Sequence, residues 1–378
     1  MATPTQNDST LSVLQVLPEL NTGGVERGTI EIARALVAAG HQSTVLSNGG
    51  YQVDTLLQEG SQHITLPVHR KSLLSLRLVN QLREVIAPFD VVHIRSRMPA
   101  WLIYLAWRKM PVATRPRLIS TVHGLYSVSR YSAVMTKAER VIAISEVVRD
   151  YIFDNYPDTP EARVQLIYRG VTPDEFVPGY QPSDAWLEQW YSAYPSSRNR
   201  KILLMPARIT RWKGHEAYLR LIAGLCRRLD VHGVVVGEHG KRQARFFKQL
   251  QQQCWDLGIE DHVSFVGNRR DMVELYALAD LSFNLSTHAE PFGRTMIESM
   301  SIGTPVVAWN YGGASEILRE LFPAGLVPVQ DEDALLATCL KLLTQPEQPS
   351  PNSFTLERMQ QQTLQAYVDL AASPREDK

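Results

Sequence analysis

The sequence has few cysteines, no long apolar run and no excess of charge of either sign. Its three cysteines, Cys226, Cys254 and Cys339, lack metal-binding spacing, which argues against a disulfide scaffold and favours a reducing compartment. The longest uninterrupted apolar run, Trp101 to Trp107, is far too short to span a bilayer. The N-terminus, MATPTQNDST, lacks the basic and apolar regions of a signal peptide, so we expect no secretory leader. These absences predict a cytoplasmic protein.

The composition is that of an ordinary globular protein. The chain has 378 residues, of which 44% are hydrophobic and 21% charged. This length suits two α/β domains better than a single core. The dinucleotide fingerprint G-x-G-x-x-G is absent, which counts against a dehydrogenase.

Strand and helix patterns alternate along the chain, which predicts an α/β protein with doubly wound parallel sheets. The first alternation occupies residues 1–175 and the second residues 201–350, with a Pro-, Gly- and Ser-rich interdomain segment at 176–200. A last helix is predicted over residues 355–370. We therefore expect two Rossmann-like domains facing a central cleft, with ligands at the carboxyl ends of the strands.

The most informative segment, Ser286 to Glu316, combines two carboxylates with a helix opened by glycine. A loop presents Glu290, and the predicted helix begins at Gly293-Arg294-Thr295 and carries Glu298. The unpaired N–H groups and positive dipole end of a helix N-terminus suit a phosphate. At a rise of about 1.5 Å per residue, Glu298 lies roughly 7 Å further along the axis. The carboxylates can therefore reach groups beyond both ends of a bound diphosphate, as in a nucleotide-sugar.

This segment resembles the signature of the retaining GT-B glycosyltransferases of family 4. The signature contains two glutamates separated by seven residues, then a small helix, a Pro-Val-Val strand and a glycine pair. The matching residues here are Glu290, Glu298, Gly303-Thr304-Pro305-Val306-Val307 and Gly312-Gly313. The resemblance covers nearly the whole chain and is weakest over 50–115 and 172–200. It implies the GT-B fold, a UDP-, GDP- or ADP-sugar donor, no cofactor, and a last helix that packs back on the N-terminal domain.

The resemblance also implies roles for single residues. Glu290 would bind the donor sugar and Glu298 the ribose. Arg208 and Lys213 would stabilise the departing diphosphate together with the backbone amides of Gly293 to Thr295. His123, at the carboxyl end of a predicted strand, would contact the donor sugar, although local backbone could also satisfy an isolated histidine. The other residues assigned to nucleotide-sugar binding are Gly23, Gly24, Phe292, Arg294, Val266 and Gly267.

Two departures and two alternatives accompany this prediction. Arg169-Gly170 stands where the family usually has Asn-Gly, which leaves the role of that asparagine open. Asp331-Glu332-Asp333 matches the D-x-D of metal-dependent transferases, but acids at a helix N-terminus are ordinary dipole complementation, so we expect no metal requirement. The alternatives are a nucleotide-sugar 2-epimerase of the same fold and a non-catalytic, nucleotide-sugar-binding partner subunit.

A basic block extends over residues 65–140, where thirteen lysines and arginines face three acids in a chain with no net charge. Its aromatic residues, Trp101, Tyr104 and Trp107 among them, are expected to be exposed. The block predicts an anionic membrane or acceptor surface, while solvated helix faces are the simpler explanation. The sequence form EPFGRT resembles bacterial enzymes of lipopolysaccharide-core synthesis. We therefore expect a glycan or lipid-linked acceptor at the inner face of the membrane, and no nucleic-acid partner.

Overall fold

The computed structural model describes residues 10–21 and 23–375, and the chain divides into two compact units. One unit ends at Tyr168 and takes up the chain again from Glu357, and the other extends from Arg169 to Leu356. The expectation of no secretory leader depends mainly on residues 1–9, which lie outside the described residues.

Each unit is built on a parallel sheet whose strands alternate with helices. In the first unit the strands are β1 (Ser12–Val16), β2 (Gln42–Ser47), β3 (Gln62–Thr65), β4 (Val91–Ile94), β5 (Arg117–Val122), β6 (Arg140–Ala143) and β7 (Val164–Leu166). The helices between them are α1 (Gly24–Ala38), α2 (Val53–Gln58), α3 (Leu78–Ile86), α4 (Arg97–Trp107) and α5 (Glu146–Asn155).

The second unit repeats this alternation. Its helices are α6 (Asp184–Ala193), α7 (His215–Cys226), α8 (Ala244–Leu257), α9 (Met272–Leu278), α10 (Arg294–Ile302), α11 (Gly313–Leu321) and α12 (Glu332–Thr344). Its strands are β8 (Lys201–Pro206), β9 (Val231–Val236), β10 (Val263–Phe265), β11 (Leu281–Asn284), β12 (Val306–Trp309) and β13 (Leu326–Val327). The chain then continues into α13 (Leu356–Ala372).

The strand orders identify both sheets as Rossmann-like. Among the described residues, the first sheet has the order β3-β2-β1-β4-β5-β6-β7 and the second the order β10-β9-β8-β11-β12-β13. Every neighbouring pair is parallel. The order reverses between β1 and β4 and between β8 and β11, and such a switch point is where open α/β sheets bind ligands. The predicted fold class of two Rossmann-like, doubly wound sheets is confirmed.

The sequence explains these elements locally. All residues of β4, β5 and β9 are buried, as expected for parallel strands covered on both faces. Ser145 begins α5 by accepting a hydrogen bond from the Val148 N–H at 3.1 Å. Asp331 begins α12 in the same way, since its carboxylate accepts from the Ala334 N–H at 2.9 Å. The first acid of the D-x-D string is thus a helix cap.

The C-terminal helix α13 contacts the sheet of the first unit. His93 on β4 is fully buried, with Nδ1 at 2.7 Å from the Tyr367 hydroxyl and Nε2 at 2.7 Å from the Thr121 hydroxyl. Gln360 donates to the Glu31 carbonyl at 2.9 Å. Burial holds the pKa of His93 well below its ordinary value, so this link is made by a neutral imidazole.

The basic block is not the continuous surface that its sequence suggests. Arg95 and Arg117 are buried. Both have polar partners there: Arg95 donates to Gln15 at 2.7 Å, and Arg117 pairs with Glu139 at 3.2 Å. Trp107 is only 6% exposed, and its indole N–H donates to the Pro116 carbonyl at 2.7 Å. The expectation that Trp107 is exposed is therefore wrong. Within the described ranges, no helix is long and apolar enough to cross a membrane.

Candidate active site

A buried ion pair lies at the switch point of the second sheet. Lys213 is in the loop after β8 and Glu290 in the loop after β11, and the Lys213 ammonium pairs with Oε1 of Glu290. Their side chains are 16% and 9% exposed, respectively. The Ser286 hydroxyl donates to the same carboxylate oxygen at 2.7 Å. The fold thus holds a cation and a carboxylate together at the edge of the sheet where a ligand is expected.

The loop that carries Lys213 is fixed against the end of β11. Gly214 has φ +82°, and a Cβ at this position would be 2.0 Å from the Leu285 carbonyl oxygen. Only glycine allows this approach without strain. One residue before Lys213, the Trp212 carbonyl accepts a hydrogen bond from the Thr287 N–H at 2.7 Å. Lys213 is therefore held from both sides by backbone contacts.

The glycine pair Gly312-Gly313 positions Glu290 from the other direction. The backbones of Glu290 and Gly312 form an isolated parallel bridge, and the Gly313 N–H donates to the Glu290 carbonyl at 2.8 Å. A Cβ on Gly312, which has φ +64°, would be 2.7 Å from the Glu290 nitrogen. The glycine pair therefore allows the loop after β12 to lie directly against the Glu290 loop.

The second carboxylate, Glu298, lies on α10, which begins at Arg294 with Gly293 as its N-cap. Its Oε1 accepts from Arg294 Nε at 3.0 Å, and its Oε2 accepts from the Tyr276 hydroxyl at 3.0 Å. Both oxygens are therefore engaged, and the residue is 8% exposed. Phe292, directly before the helix, is 3% exposed and packs edge-on against Phe354 at 5.8 Å between ring centroids.

A small cavity connects the ion pair to the N-terminus of α10. Lys213, Ser286 and Thr295 line it together. The structure thus brings Lys213, which pairs with Glu290, close to the first turn of α10, and the binding of a phosphate there stays a prediction. Ser286 and Tyr276, which hold the two carboxylates, were not singled out by the sequence.

Arg208 lies on the same loop as Lys213 but outside this cluster. It is exposed, and no carboxylate in the described part of the chain pairs with it. It is five residues from Lys213 in sequence, but the described partners of the Lys213–Glu290 pair do not include it. The structure places Arg208 at the surface of the loop after β8.

A separate pocket of about 380 Å³ lies where β9 and β10 end. Gly267 lines it, whereas the Val266 N–H donates to the Val235 carbonyl at 3.0 Å and continues the sheet pairing. Its aromatic wall includes His239 and Phe247, whose rings stack at 4.7 Å between centroids. The sequence analysis missed both residues. The position of His239, three residues after the end of β9, could have indicated it, whereas Phe247 lies in α8.

The remaining predicted residues belong to the first unit. Gly23 is the N-cap of α1 and Gly24 its first residue, and both are exposed after β1. Thr22, between them and the strand, lies outside the described residues. His123 follows the last residue of β5 and is partly buried, and its N–H donates to the Tyr126 hydroxyl at 3.2 Å. Burial raises the pKa of Tyr126.

His215 does not add a positive charge beside the ion pair at neutral pH. His215, two residues after Lys213, is fully buried, and burial lowers its pKa from 6.5 to about 4. The backbone of Ala207 and Thr210 opposes this shift only in part. Among the described residues, no group of three His, Cys, Asp or Glu side chains could hold a metal ion.

The two sheets with a polar site at a switch point are those of the GT-B fold. Two family models match the chain: "Glycosyltransferase Family 4" over residues 22–175 and "Glycosyl transferases group 1" over residues 188–355. Together they account for most of the chain. The fold and both matches support a GT-B glycosyltransferase.

Individual relatives agree with this assignment. A crystal structure of a glycosyltransferase from Rickettsia africae ESF-5 matches with a TM-score of 0.83 and 29% identity, covering 97% of this chain and 100% of that one. Anabaena HepE, in complex with UDP and glucose, has the same fold, with a TM-score of 0.75, 21% identity and coverages of 95% and 100%. An uncharacterized glycosyltransferase of Methanocaldococcus jannaschii is 26% identical over 250 residues, which are 61% of this chain and 60% of that protein.

Proposed function

We propose that the protein is a retaining glycosyltransferase that moves a sugar from a nucleotide-sugar to a hydroxyl group of a glycan or lipid-linked glycan. The observation that carries the proposal is the Lys213–Glu290 pair at the switch point of the second sheet, beside the N-terminus of α10. The family matches favour this function over a 2-epimerase or a non-catalytic partner subunit. The complex of Anabaena HepE with UDP and glucose supports a nucleotide-sugar donor.

The donor diphosphate would bind at the N-terminus of α10. There the amides of Gly293 to Thr295 and the ammonium of Lys213 face negative charge that grows as the diphosphate leaves. Arg208, exposed on the same loop, is free to turn toward the outer phosphate oxygens. The pocket at Gly267 would take the base, whose flat ring suits the aromatic wall of His239 and Phe247.

Glu290 is arranged to accept a hydrogen bond from the sugar. Both donors that reach its carboxylate, Lys213 and Ser286, contact Oε1, and no donor in the described part of the chain contacts Oε2. The second oxygen therefore remains an acceptor for a sugar hydroxyl, while the first is held in place. Such a fixed acceptor loses little freedom on binding.

Glu298 would bind the ribose either in addition to its present partners or in place of one of them. Its two oxygens are held by Arg294 and Tyr276, so a ribose hydroxyl either adds to one of them as a further donor or replaces the tyrosine. A carboxylate oxygen has two lone pairs and can accept both donors. The ion pair with Arg294 places a positive charge beside the buried carboxylate.

Retention would follow from reaction on a single face of the sugar. The bond between the anomeric carbon and the phosphate oxygen breaks, the acceptor hydroxyl oxygen bonds to the same carbon, and its proton passes to the departing phosphate oxygen. His123 and the Gly23-Gly24 loop, on the first unit, would contact the reacting sugar and the acceptor. The acceptor we propose is a lipid-linked glycan of the bacterial envelope, such as a lipopolysaccharide core, at the inner face of the membrane.

A thermal-shift screen with UDP-, GDP- and ADP-sugars identifies the donor, since a ligand that binds the native state raises its stability. With that donor, Glu290→Gln should keep binding of the nucleoside diphosphate but slow sugar transfer by roughly 10²-fold or more. Glu188→Gln, on the exposed face of α6, is the matched control and should transfer at the wild-type rate. Wild-type kcat/KM in Glu290→Gln at saturating acceptor would show that the assigned role is wrong.

A further inference from the structure

The first unit contains a second concave site, at the amino ends of β5, β6 and β7. This cavity has a volume of about 660 Å³ and is formed by the end of α4, the loop that follows it, the starts of the strands and the residues after α13. Gly23-Gly24 and His123 follow carboxyl ends of strands in the same sheet. The cavity is therefore on the opposite edge of this sheet from the predicted reaction site, and none of the proposed donor-site residues lines it.

Cations dominate the wall of this cavity. Arg117 and Arg140 are the first residues of β5 and β6, and Arg163 directly precedes β7. Neighbouring strands lie about 4.8 Å apart, so the topology crowds the three guanidinium groups along one edge. Three further cations line the same space: Arg108, Arg115 and Lys137.

The wall of the cavity contains far fewer carboxylates than cations. Glu139 is the one acid among the described residues that line the cavity, and both of its oxygens are used. Oε1 pairs with Arg117 at 3.2 Å, and Oε2 accepts from the Leu118 N–H at 2.8 Å. Six cations and one carboxylate leave a formal charge of +5. Like charges in a partly desolvated space repel each other unless an anion is present.

Two of the guanidinium groups lie over aromatic rings. Arg115 lies over the Trp107 ring, 3.5 Å from its centroid, and Arg108 lies over the Tyr104 ring at 5.6 Å. The two rings stack on each other with centroids 6.2 Å apart. Burial lowers the pKa of Arg115, and Arg375 and Arg117 lower it further against the opposing charge of Glu139. This wall is a prearranged set of charge-assisted donors.

We propose that the cavity binds a small anion with at least two phosphate charges, at a site separate from that of the nucleotide-sugar. A guanidinium fork matches two phosphate oxygens and holds less hydration water than an ammonium. The concave shape fits a free phosphorylated molecule, such as a sugar phosphate or pyrophosphate, and it also fits the headgroup of a phosphate-bearing lipid.

Pyrophosphate binding tests the site directly. Isothermal titration of the full chain should detect binding that persists in Lys213→Ala, which lacks the proposed diphosphate site of the second unit. In that background, Lys137→Glu/Arg140→Glu should weaken the remaining binding by at least roughly tenfold, the effect of losing one charge-assisted hydrogen bond. Arg83→Glu/Arg130→Glu makes the same charge change at exposed positions of the first unit outside the cavity, and should leave the binding unchanged.

A second arm identifies the source of the phosphate. If pyrophosphate does not bind, the next probe is sedimentation with phosphatidic acid vesicles. Sedimentation that is kept in the control variant but lost in Lys137→Glu/Arg140→Glu would support the site, with a lipid headgroup as its ligand. Should the double reversal unfold, as seen from its thermal transition without ligand, Arg140→Gln replaces it with the same expected direction. The proposal would be overturned if Lys213→Ala lost all pyrophosphate binding and also failed to sediment with the vesicles, if both reversal variants lost binding equally, or if neither probe bound. None of these readouts depends on sugar transfer.

Discussion

Removal of the Lys213 ammonium group should destabilise the second unit through its effect on Glu290. Lys213→Met keeps the length of the side chain but leaves a carboxylate of 7% exposure without its cation. Breaking a buried ion pair on one side costs about 3–5 kcal/mol. The hydrogen bond from Ser286 at 2.7 Å remains and, as a bond to a charged group, offsets about 1.5 kcal/mol of this cost. We therefore expect a loss of about 1.5–3.5 kcal/mol in the free energy of unfolding.

A double-mutant cycle separates the ion pair from packing. Glu290→Gln in the Lys213→Met background removes the stranded charge, so most of the lost stability should return. The coupling free energy of the pair should then be about 2 kcal/mol. The assay is urea unfolding at pH 7, followed by tryptophan fluorescence and read for the transition of the second unit.

Two controls sharpen this result. Lys213 also lies over the Trp212 ring, 4.2 Å from its centroid, and loss of this contact should cost about 0.5–1 kcal/mol in the double variant as well. Lys201→Met, whose ammonium pairs with Asp280 at 2.8 Å at a more exposed position, should cost less than about 1 kcal/mol. A coupling below about 0.5 kcal/mol for Lys213 and Glu290 would refute the reasoning, because independent sites couple by no more than that.

Three further predictions concern other residues. Glu298→Gln should weaken nucleotide binding as well as transfer, by roughly tenfold for one lost hydrogen bond, and unchanged nucleotide affinity in a titration would reject the ribose contact. Since burial lowers the pKa of His215 from 6.5 to about 4, unfolding takes up a proton at acidic pH. Stability of the second unit should thus be highest above pH 6.5 and fall by roughly 2 kcal/mol between pH 7 and pH 5. In His215→Gln this part of the pH dependence should disappear. If the urea midpoint of the variant fell between pH 7 and pH 5 by as much as that of the wild type, the assignment to His215 would be wrong. Reversal of the exposed Arg70, Lys71 and Arg77 to glutamate should abolish co-sedimentation with anionic vesicles at low salt. Each basic residue near such a surface contributes about 1 kcal/mol. If the variant bound the vesicles as well as the wild type, these residues would be only a solvated face.

The sequence was most informative where local patterns carry the information. Apolar runs alternating with helix patterns predicted both Rossmann-like sheets, because parallel strands covered on both faces are apolar throughout. The positions of Glu290 before α10 and of Glu298 within it could also be predicted, because both residues lie in one short segment. The N-caps Ser145 and Asp331 act within three residues of their own positions.

Contacts between distant segments could not be predicted in this way. The basic block contained thirteen cations in sequence, but burial of Arg95 and Arg117 depends on Gln15, which is eighty residues away from Arg95, and on Glu139. Burial of Trp107 depends on the Pro116 carbonyl across a turn. Local sequence does not predict which face of a helix another element covers.

By itself, the sequence determined that the chain forms two α/β sheets, because hydrophobic periodicity is a local property. Motif spacing and the family resemblance together made Glu290, Glu298 and Lys213 the candidates for nucleotide-sugar binding. Only the tertiary structure decided that Lys213 and Glu290 form a pair, that Ser286 and Tyr276 hold the two carboxylates, and that Arg117, Arg140 and Arg163 line one cavity. The physical reason is that strand order, not chain order, places the ends of β8 and β11, and the starts of β5, β6 and β7, side by side.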